Sequence, residues 1–442
     1  MRRRTLWRYS INLGRARNQE HRTRLAPRPR TLLLILVLGS IASNMVLALI
    51  PPSLSFWDEQ VYNYASELIL QGQSCPTVAL TISTSTVPIA VPCNYEHPPL
   101  VKLLGSLTLY VFGNLEKVTS SGSLAWRIES LLSLRLVQFV MGALSIPLLY
   151  TIAMSITKNT RLALLAGLLL FLDPLYALFS RTDYLDVPML FFGLCAYAVY
   201  FGQRRIGKVN SYLVSGVFLG LSLLSKETGI ALVVPLVVYH LLFDQATWKR
   251  KTMEAGAVLG SEAVVAIVGL QLYDTLAATP FMTFANQIEY MLQYSNHLVC
   301  PNLCNFPGPN PWYFLPTYNY WMVEVSYNPV LLWSASVWVP VGLLLTFRQL
   351  RSETQLDGET RLFVFAALLF AVTMAENELL YLAGRIIWVW YFLPAIPALG
   401  LGEAFLLTRP AIPAWLRITL GVSVVIGYLL AYIIGPSLLL YD

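Results

Sequence analysis

Apolar residues in this chain gather into long unbroken runs rather than alternating with polar ones. The runs lie near 31–49, 128–156, 162–179, 186–202, 211–225, 229–243, 255–272, 329–347, 361–382, 386–406 and 414–440. A helix needs about 20 such residues to cross about 30 Å of hydrocarbon, and most of the runs approach that length. Strands of a membrane barrel would alternate polarity, which these runs do not. The pattern predicts an all-α polytopic membrane protein with about eleven transmembrane helices, the division of 211–243 being its weakest part.

Two connections are far longer than the others, at about residues 50–127 and 273–328. Loops of that length in a compact chain carry function or stay disordered, and these are rich in aromatics and prolines. Trp57, Val61, Tyr64 and Leu68 recur at helix-face spacing, which predicts an amphipathic helix at the lipid interface. TVALTISTSTVPIAV reads as a β-hairpin or an irregular extension, and a second helix is expected to start at Pro98 or Pro99 and run through LVKLLGSLTLYVF. FMTFANQIEYMLQYSNHLV reads as another interfacial helix, followed by the turn-rich NFPGPNPWYFLP. With no soluble domain and no internal repeat in view, the expected organisation is a basic tail over 1–30 and one transmembrane domain over 31–442.

Composition sharpens this picture. Hydrophobic residues make up 56% of the chain and charged ones only 12%, with a mean hydropathy of +0.59. That excludes an ordinary soluble domain, and no nucleic-acid partner is expected. Lys and Arg favour the cytoplasmic side of a membrane. Ten arginines in the first 30 residues therefore place the N-terminus inside, and eleven spans then put 23 of the 30 basic residues on that side. Only Lys102, Lys117, Arg127, Arg135, Arg181, Lys226 and Arg385 fall outside. The tail reads as a topogenic segment that also touches anionic lipid, and the length of the apolar run after it argues against a cleavable signal peptide. The plasma membrane is the expected location. Cys195 falls within a span, while Cys75 with Cys93 and Cys300 with Cys304 lie in the outward loops, where two local disulfides are expected. A metal half-site at CPNLC is the alternative, but no second His or Cys pair accompanies it, and nothing shows clear metal-ligand spacing. No cofactor is expected.

Acids are scarce, 24 in 442 residues, yet Asp58 and Glu59 stand side by side just after the first span. Ser55 three residues before Asp58 resembles a capping box, a purely structural explanation. The functional explanation draws on the mixed charges of the same outer face: Glu96 and His97, Arg135, Arg181, Asp183 and Asp186, Lys226 and Glu227, Glu376, Glu378 and Arg385. Inner-face charges are mostly basic and topogenic. A mixed polar cluster at one end of a helix bundle is how a membrane enzyme would meet a lipid-borne substrate.

FLDPLYALFSRTDYLDVPMLFF, residues 171–192, resembles the signature of the protein O-mannosyltransferases, glycosyltransferase family 39 of the GT-C class. The Asp58-Glu59 pair matches that family's acidic motif, NYEHPPLVKLLG resembles its HPPLGK segment with Val101 at the usual glycine, and LRLVQFVMGALSIPLLY resembles its arginine-bearing second span. Gln287, Met291, Tyr294 and PNPWYFLP echo a weaker late pattern. The 273–328 loop is too short for the repeat domain that eukaryotic members insert, so the resemblance is to the compact prokaryotic form. The family's HPYxSxPW reads here as CPNLCNFPGPNPW, a departure that bears on acceptor recognition.

The resemblance implies a GT-C fold and transfer of a sugar such as mannose, with inversion and without metal, from a polyprenyl (dolichyl) phosphate to Ser or Thr of exported proteins. Asp58 would be the general base, with Glu59 orienting a basic residue or the acceptor. Arg135 would hold the leaving phosphate, with Arg181, Lys226 and Arg385 as secondary candidates. Glu96, His97, Asp186, Gln287 and Tyr294 would support substrate or loop. A snorkelling role for Arg135, a helix-start role for His97 and a bracing role for Asp186 are the structural alternatives. Glu262, an acid within a span, has no assigned role. A GT-C enzyme acting on a lipid or lipid-linked glycan is the nearest competing function. A transporter would need matched interrupted helices and mid-membrane charges, and a non-catalytic partner subunit would not need Asp58.

Overall fold

In a computed structural model of the chain, the residues described are 29–49, 57–72, 78–82, 85–89, 95, 97–112, 128–202, 208–276, 283–297, 329–351, 356–383 and 389–438. Among them the fold is helical apart from one hairpin. The helices are α1 Pro29–Leu49, α2 Trp57–Leu70, α3 Leu100–Phe112, α4 Ile128–Thr157, α5 Thr160–Leu172, α6 Pro174–Phe179, α7 Asp186–Phe201 and α8 Lys208–Ser225. They continue as α9 Val233–Phe243, α10 Trp248–Leu276, α11 Phe284–His297, α12 Pro329–Arg351, α13 Gly358–Leu382, α14 Ala395–Thr408 and α15 Ala414–Leu438. Strands β1 Val78–Ile82 and β2 Ser85–Ile89 pair antiparallel, Val78 opposite Ile89. The hairpin alternative is therefore the one adopted between the two helices of the first long connection. Both interfacial helices read from the sequence also form, as α2 and α11.

Three described helices, over Ser133–Thr157, Trp248–Leu276 and Gly358–Leu382, are long and apolar enough to cross a membrane, and shorter apolar helices accompany them. In α13 67% of the most apolar window is buried, against 28% in α10, so α13 is central and α10 lies at the periphery. Leu149, Ile152, Ala166, Leu170, Leu194, Phe365 and Ala398 form the dry centre between α4, α5, α7, α13 and α14. Large apolar side chains such as Ile35, Val264, Val268, Val425 and Ile426 face outward instead, as a lipid solvent requires.

Three of the expected spans are broken. The run 162–179 forms α5 and then stops at Asp173, whose carboxylate accepts from the Tyr176 N–H at 2.9 Å and starts α6. Pro174 at the first position has no N–H to donate, so one helix ends and another begins at this dipeptide. The run 229–243 opens as a 3₁₀ turn over Glu227–Leu232 before α9. In the run 386–406 the residues described, 389–406, are α-helical from Ala395 and open with a 3₁₀ turn Val389–Phe392, because Pro394 bars the residue before it from continuing as a helix. All three breaks expose backbone or place polar side chains at the same end of the bundle.

Candidate active site

The Asp173 break starts a sharply turned segment, 173–185, that lies across the end of α4. Tyr176 donates its hydroxyl to the Gly142 carbonyl at 2.8 Å. A side chain at Gly142 would meet Ser180 Cβ at 2.7 Å, so only glycine lets the segment approach this closely. One turn before Gly142, Gln138 is fully buried and donates its amide to Asp183 and, at 3.5 Å, to the Tyr184 carbonyl. Arg135 precedes Gln138 by three residues on the same helix face and is 5% exposed. Arg181 is half-buried on the turn itself.

Asp186 opens α7, where a carboxylate suits the helix N-terminus. It accepts from Lys226 Nζ at 2.7 Å, both side chains being buried. The ammonium also sits 4.1 Å from the centre of the Tyr391 ring, on the 3₁₀ turn before α14. Burial alone would lower the Lys226 pKa, but the Asp186 carboxylate overcomes it and holds the lysine charged. Next to it, Glu227 accepts from the His97 ring Nδ1–H at 2.8 Å. Burial raises the Glu227 carboxyl, and the His97 pairing together with Lys226 outweighs this, bringing it to about 2. Gly229 makes the turn that presents both residues, since a Cβ there would lie 2.7 Å from the Ser222 backbone.

His97 joins this group to the helices of the first long connection. Its carbonyl accepts from Lys102 Nζ at 2.8 Å on α3, which lies against α2 and α4. Tyr62 of α2 meets the His97 ring and the Tyr184 ring edge-on, at 6.1 Å and 6.0 Å between centroids. Glu376, near the end of α13, belongs to the same field of charges as Lys226, Glu227 and Asp186. On α11, Gln287 is fully buried and neither atom of its amide has a hydrogen-bond partner. Asn63 on α2 is buried in the same condition. Buried amides are nearly always satisfied, so two such residues mark places where water or a ligand belongs.

His97, Arg135, Arg181, Asp186, Lys226 and Gln287 therefore all lie on elements of one end of the bundle. Asp58 and Glu59 occupy the first turn of α2, one turn before Tyr62, and their side chains lie outside the described residues, as does that of Tyr294 on α11. Glu96, Arg385, Cys75, Cys93, Cys300 and Cys304 lie outside them too. Lys226, expected as a phosphate ligand, is paired with Asp186. Gln138, Tyr62 and Tyr391 were not singled out from the sequence, and Glu227 was read only as one of the outer-face charges. Gln138 could have been found from its i+3 spacing to Arg135; Tyr391 carries no local signal. The opposite end holds a different set, in which Arg409 bridges Asp357 and Glu359 at 2.9 and 2.8 Å and Asn159 donates to Glu359.

Comparison with known proteins adds the following. Residues 94–288 match the family model described as dolichyl-phosphate-mannose-protein mannosyltransferase. The Schizosaccharomyces pombe dolichyl-phosphate-mannose–protein mannosyltransferase 1 is 33% identical over 140 residues, 29% of this chain and 16% of that relative. A polyprenol-phosphate-mannose–protein mannosyltransferase of Mycolicibacterium smegmatis is 27% identical over 177 residues, 35% of this chain and 31% of its own length. These matches span less than a third of either relative. Among solved structures, the Saccharomyces cerevisiae Pmt1-Pmt2 protein O-mannosyltransferase complex bound to the sugar donor aligns over 91% of this chain and 89% of that one, with a TM-score of 0.66 at 13% identity. ArnT from Cupriavidus metallidurans aligns over 85% of this chain and 59% of its own, with a TM-score of 0.56 at 18% identity. At these identities the structures speak to the fold alone. The chain thus shares the helical fold of these solved structures, and its residues 94–288 match the family model described as dolichyl-phosphate-mannose-protein mannosyltransferase.

Proposed function

We propose that the protein transfers mannose from a polyprenyl phosphate to Ser or Thr hydroxyls of exported proteins, at the extracytoplasmic face of the plasma membrane. One observation carries the reading: four segments far apart in sequence bring His97–Glu227, Asp186–Lys226 and Gln138–Asp183 to a single end of an apolar bundle. All three pairs lie within the stretch that matches the mannosyltransferase family. Charged groups are expensive in such surroundings and persist where chemistry uses them.

The reaction breaks the bond from the sugar's anomeric carbon to the phosphate oxygen, which departs with the electron pair. The acceptor hydroxyl oxygen forms the new bond from the opposite face, inverting the centre, and its proton passes to Asp58. A general base contributes typically 10²- to 10⁴-fold. The phosphate gains charge as it leaves and is held by fixed cations at the interface, Arg135 first, with Arg181 and Arg385 as secondary candidates. Lys226 is already committed to Asp186 and acts by holding the 226–232 turn, which presents Glu227 to His97. The plane of lipid and the rings of Tyr62 and Tyr184 limit water and so hydrolysis of the donor.

The test is transfer of radiolabelled mannose from polyprenyl-phosphate mannose to a Ser/Thr-rich peptide by the purified chain, beside a parallel assay with lipid acceptors. Asp58→Asn is expected to lower peptide transfer by about 10²-fold or more while donor binding persists. Equal turnover by both proteins removes Asp58 from the mechanism, and labelling of lipid alone moves the function to lipid glycosylation.

A further inference from the structure

At the end of the bundle away from His97 and Lys226, α9 and α10 turn back on one another through residues 244–247. His240 and Asp244 share a face one turn apart, and Glu254 reaches them from the first turns of α10. One ligand atom from each of the three lies within 4.8 Å of the other two. His240 is 2% exposed and Glu254 8%, and neither His240 Nε2 nor Glu254 Oε2 makes a hydrogen bond. They face each other at 3.5 Å. A charge-assisted N–H···O⁻ bond would close to about 2.7–2.9 Å. Two ligands of a tetrahedral zinc, each about 2.1 Å from the metal, stand about 3.4 Å apart. The His240–Glu254 separation is that of two ligands around a shared ion, and the Asp244 carboxylate lies within 4.8 Å of both.

The other atoms of these groups are each held. His240 Nδ1 lies 3.0 Å from the Tyr200 hydroxyl, Glu254 Oε1 accepts from Arg250 Nε at 2.9 Å, and Asp244 Oδ1 accepts from the Ala246 N–H at 2.7 Å. Outer contacts of this kind orient metal ligands, and with the Tyr200 hydroxyl against Nδ1 the ring is turned so that Nε2 is the atom facing Glu254. We propose that His240, Asp244 and Glu254 bind one divalent transition-metal ion, zinc or its like, which clamps the end of α9 to the start of α10. One nitrogen and two carboxylates suit such an ion better than magnesium or calcium, which take six or more oxygens. The site is separate from the proposed transfer chemistry and does not depend on it. HLLFD supplies the i, i+4 pair in the sequence, and only the fold adds Glu254 ten residues after Asp244.

The full-length protein, stripped with EDTA in detergent and dialysed against micromolar zinc, should retain about one zinc per chain by elemental analysis. Cobalt in its place should give the strong visible bands of a low-coordinate site. Glu254→Gln and His240→Gln should each weaken zinc at least tenfold, and Tyr200→Phe, which removes only an outer contact, about tenfold with an unchanged size-exclusion profile. Zinc should raise the melting temperature of the native protein and not that of Glu254→Gln. Joint replacement of Cys300 and Cys304 by Ser should leave zinc content unchanged. No retained zinc, or equal affinity in the native protein, Glu254→Gln and Tyr200→Phe, overturns the proposal and leaves a salt-bridged helix pair. Loss of zinc on replacing the two cysteines moves the ion to their loop and overturns it equally.

Discussion

At the scale of single residues, the chemistry-bearing types were visible in the sequence and their partners were not. His97, Asp186 and Lys226 stand out because charge is rare among apolar runs. That His97 meets Glu227, 130 positions away, and Lys226 meets Asp186, 40 away, follows from how α3, α7 and α8 pack. The Lys226–Asp186 pair also gives a charge read as a ligand a structural partner. Two ions taken out of water recover that cost only while both remain, so removing one leaves the other buried without a counter-charge. Asp186→Asn is therefore expected to destabilise the fold by about 3–5 kcal/mol. The double replacement Asp186→Leu with Lys226→Met should recover most of that loss. Melting curves of the purified proteins decide it: a double variant no more stable than Asp186→Asn would mean that the pair, and not its charge balance, holds the turn.

At the scale of elements, the long apolar runs were read correctly as helices, and their breaks were read less well. Hydropathy registers the composition of 162–179 but not that Asp173 can satisfy the Tyr176 N–H and restart the helix, although the Asp-Pro dipeptide was there to see. The amphipathic reading of α2 came from Trp57, Val61, Tyr64 and Leu68, and in the structure Tyr62, Ala65 and Leu68 form its buried face. That helix carries its own pH sensor. Burial raises the carboxyl of Glu67 from 4.5 to about 7, so the docked helix holds a proton that the undocked one releases. A raised carboxyl pKa stabilises docking fully below the ordinary value and loses that contribution as pH rises through about 7. Glu67 is partly exposed, so the effect is discounted for solvent. Hydrogen exchange of the 62–70 amides, corrected for intrinsic rates, should lose protection by up to about tenfold between pH 5.5 and 8.5. Glu67→Gln should flatten that change; parallel curves for the two proteins would rule the carboxyl out.

At the scale of the whole molecule, the sorting of charge between the two ends was the most legible property of all. Mixed acids and bases were expected on one face and topogenic cations on the other, and contacts now gather His97, Glu227, Asp186 and Lys226 at one end and Arg409, Asp357 and Glu359 at the other. What separates the ends is helix length, and α10 offers the cleanest ruler. Its 29 residues rise about 44 Å at 1.5 Å each, more than the hydrocarbon thickness, so α10 is long enough to place its two ends in different compartments. Lys249, Arg250 and Lys251 cluster at its first turn, and Leu276 lies at its last. The positive-inside preference predicts the first turn in the cytoplasm and the His97 end outside, the orientation that the proposed function requires. Trp248 and Leu276 are both well exposed, at 65% and 75%, so each can be replaced without disturbing the core. In cells expressing a background with the five native cysteines replaced, Leu276→Cys should react with a membrane-impermeant maleimide added outside. Trp248→Cys should react only after the membrane is opened. Labelling of Trp248→Cys in intact cells would turn the bundle over and place the His97 end in the cytoplasm, where a protein already folded on the ribosome's side would be the acceptor instead.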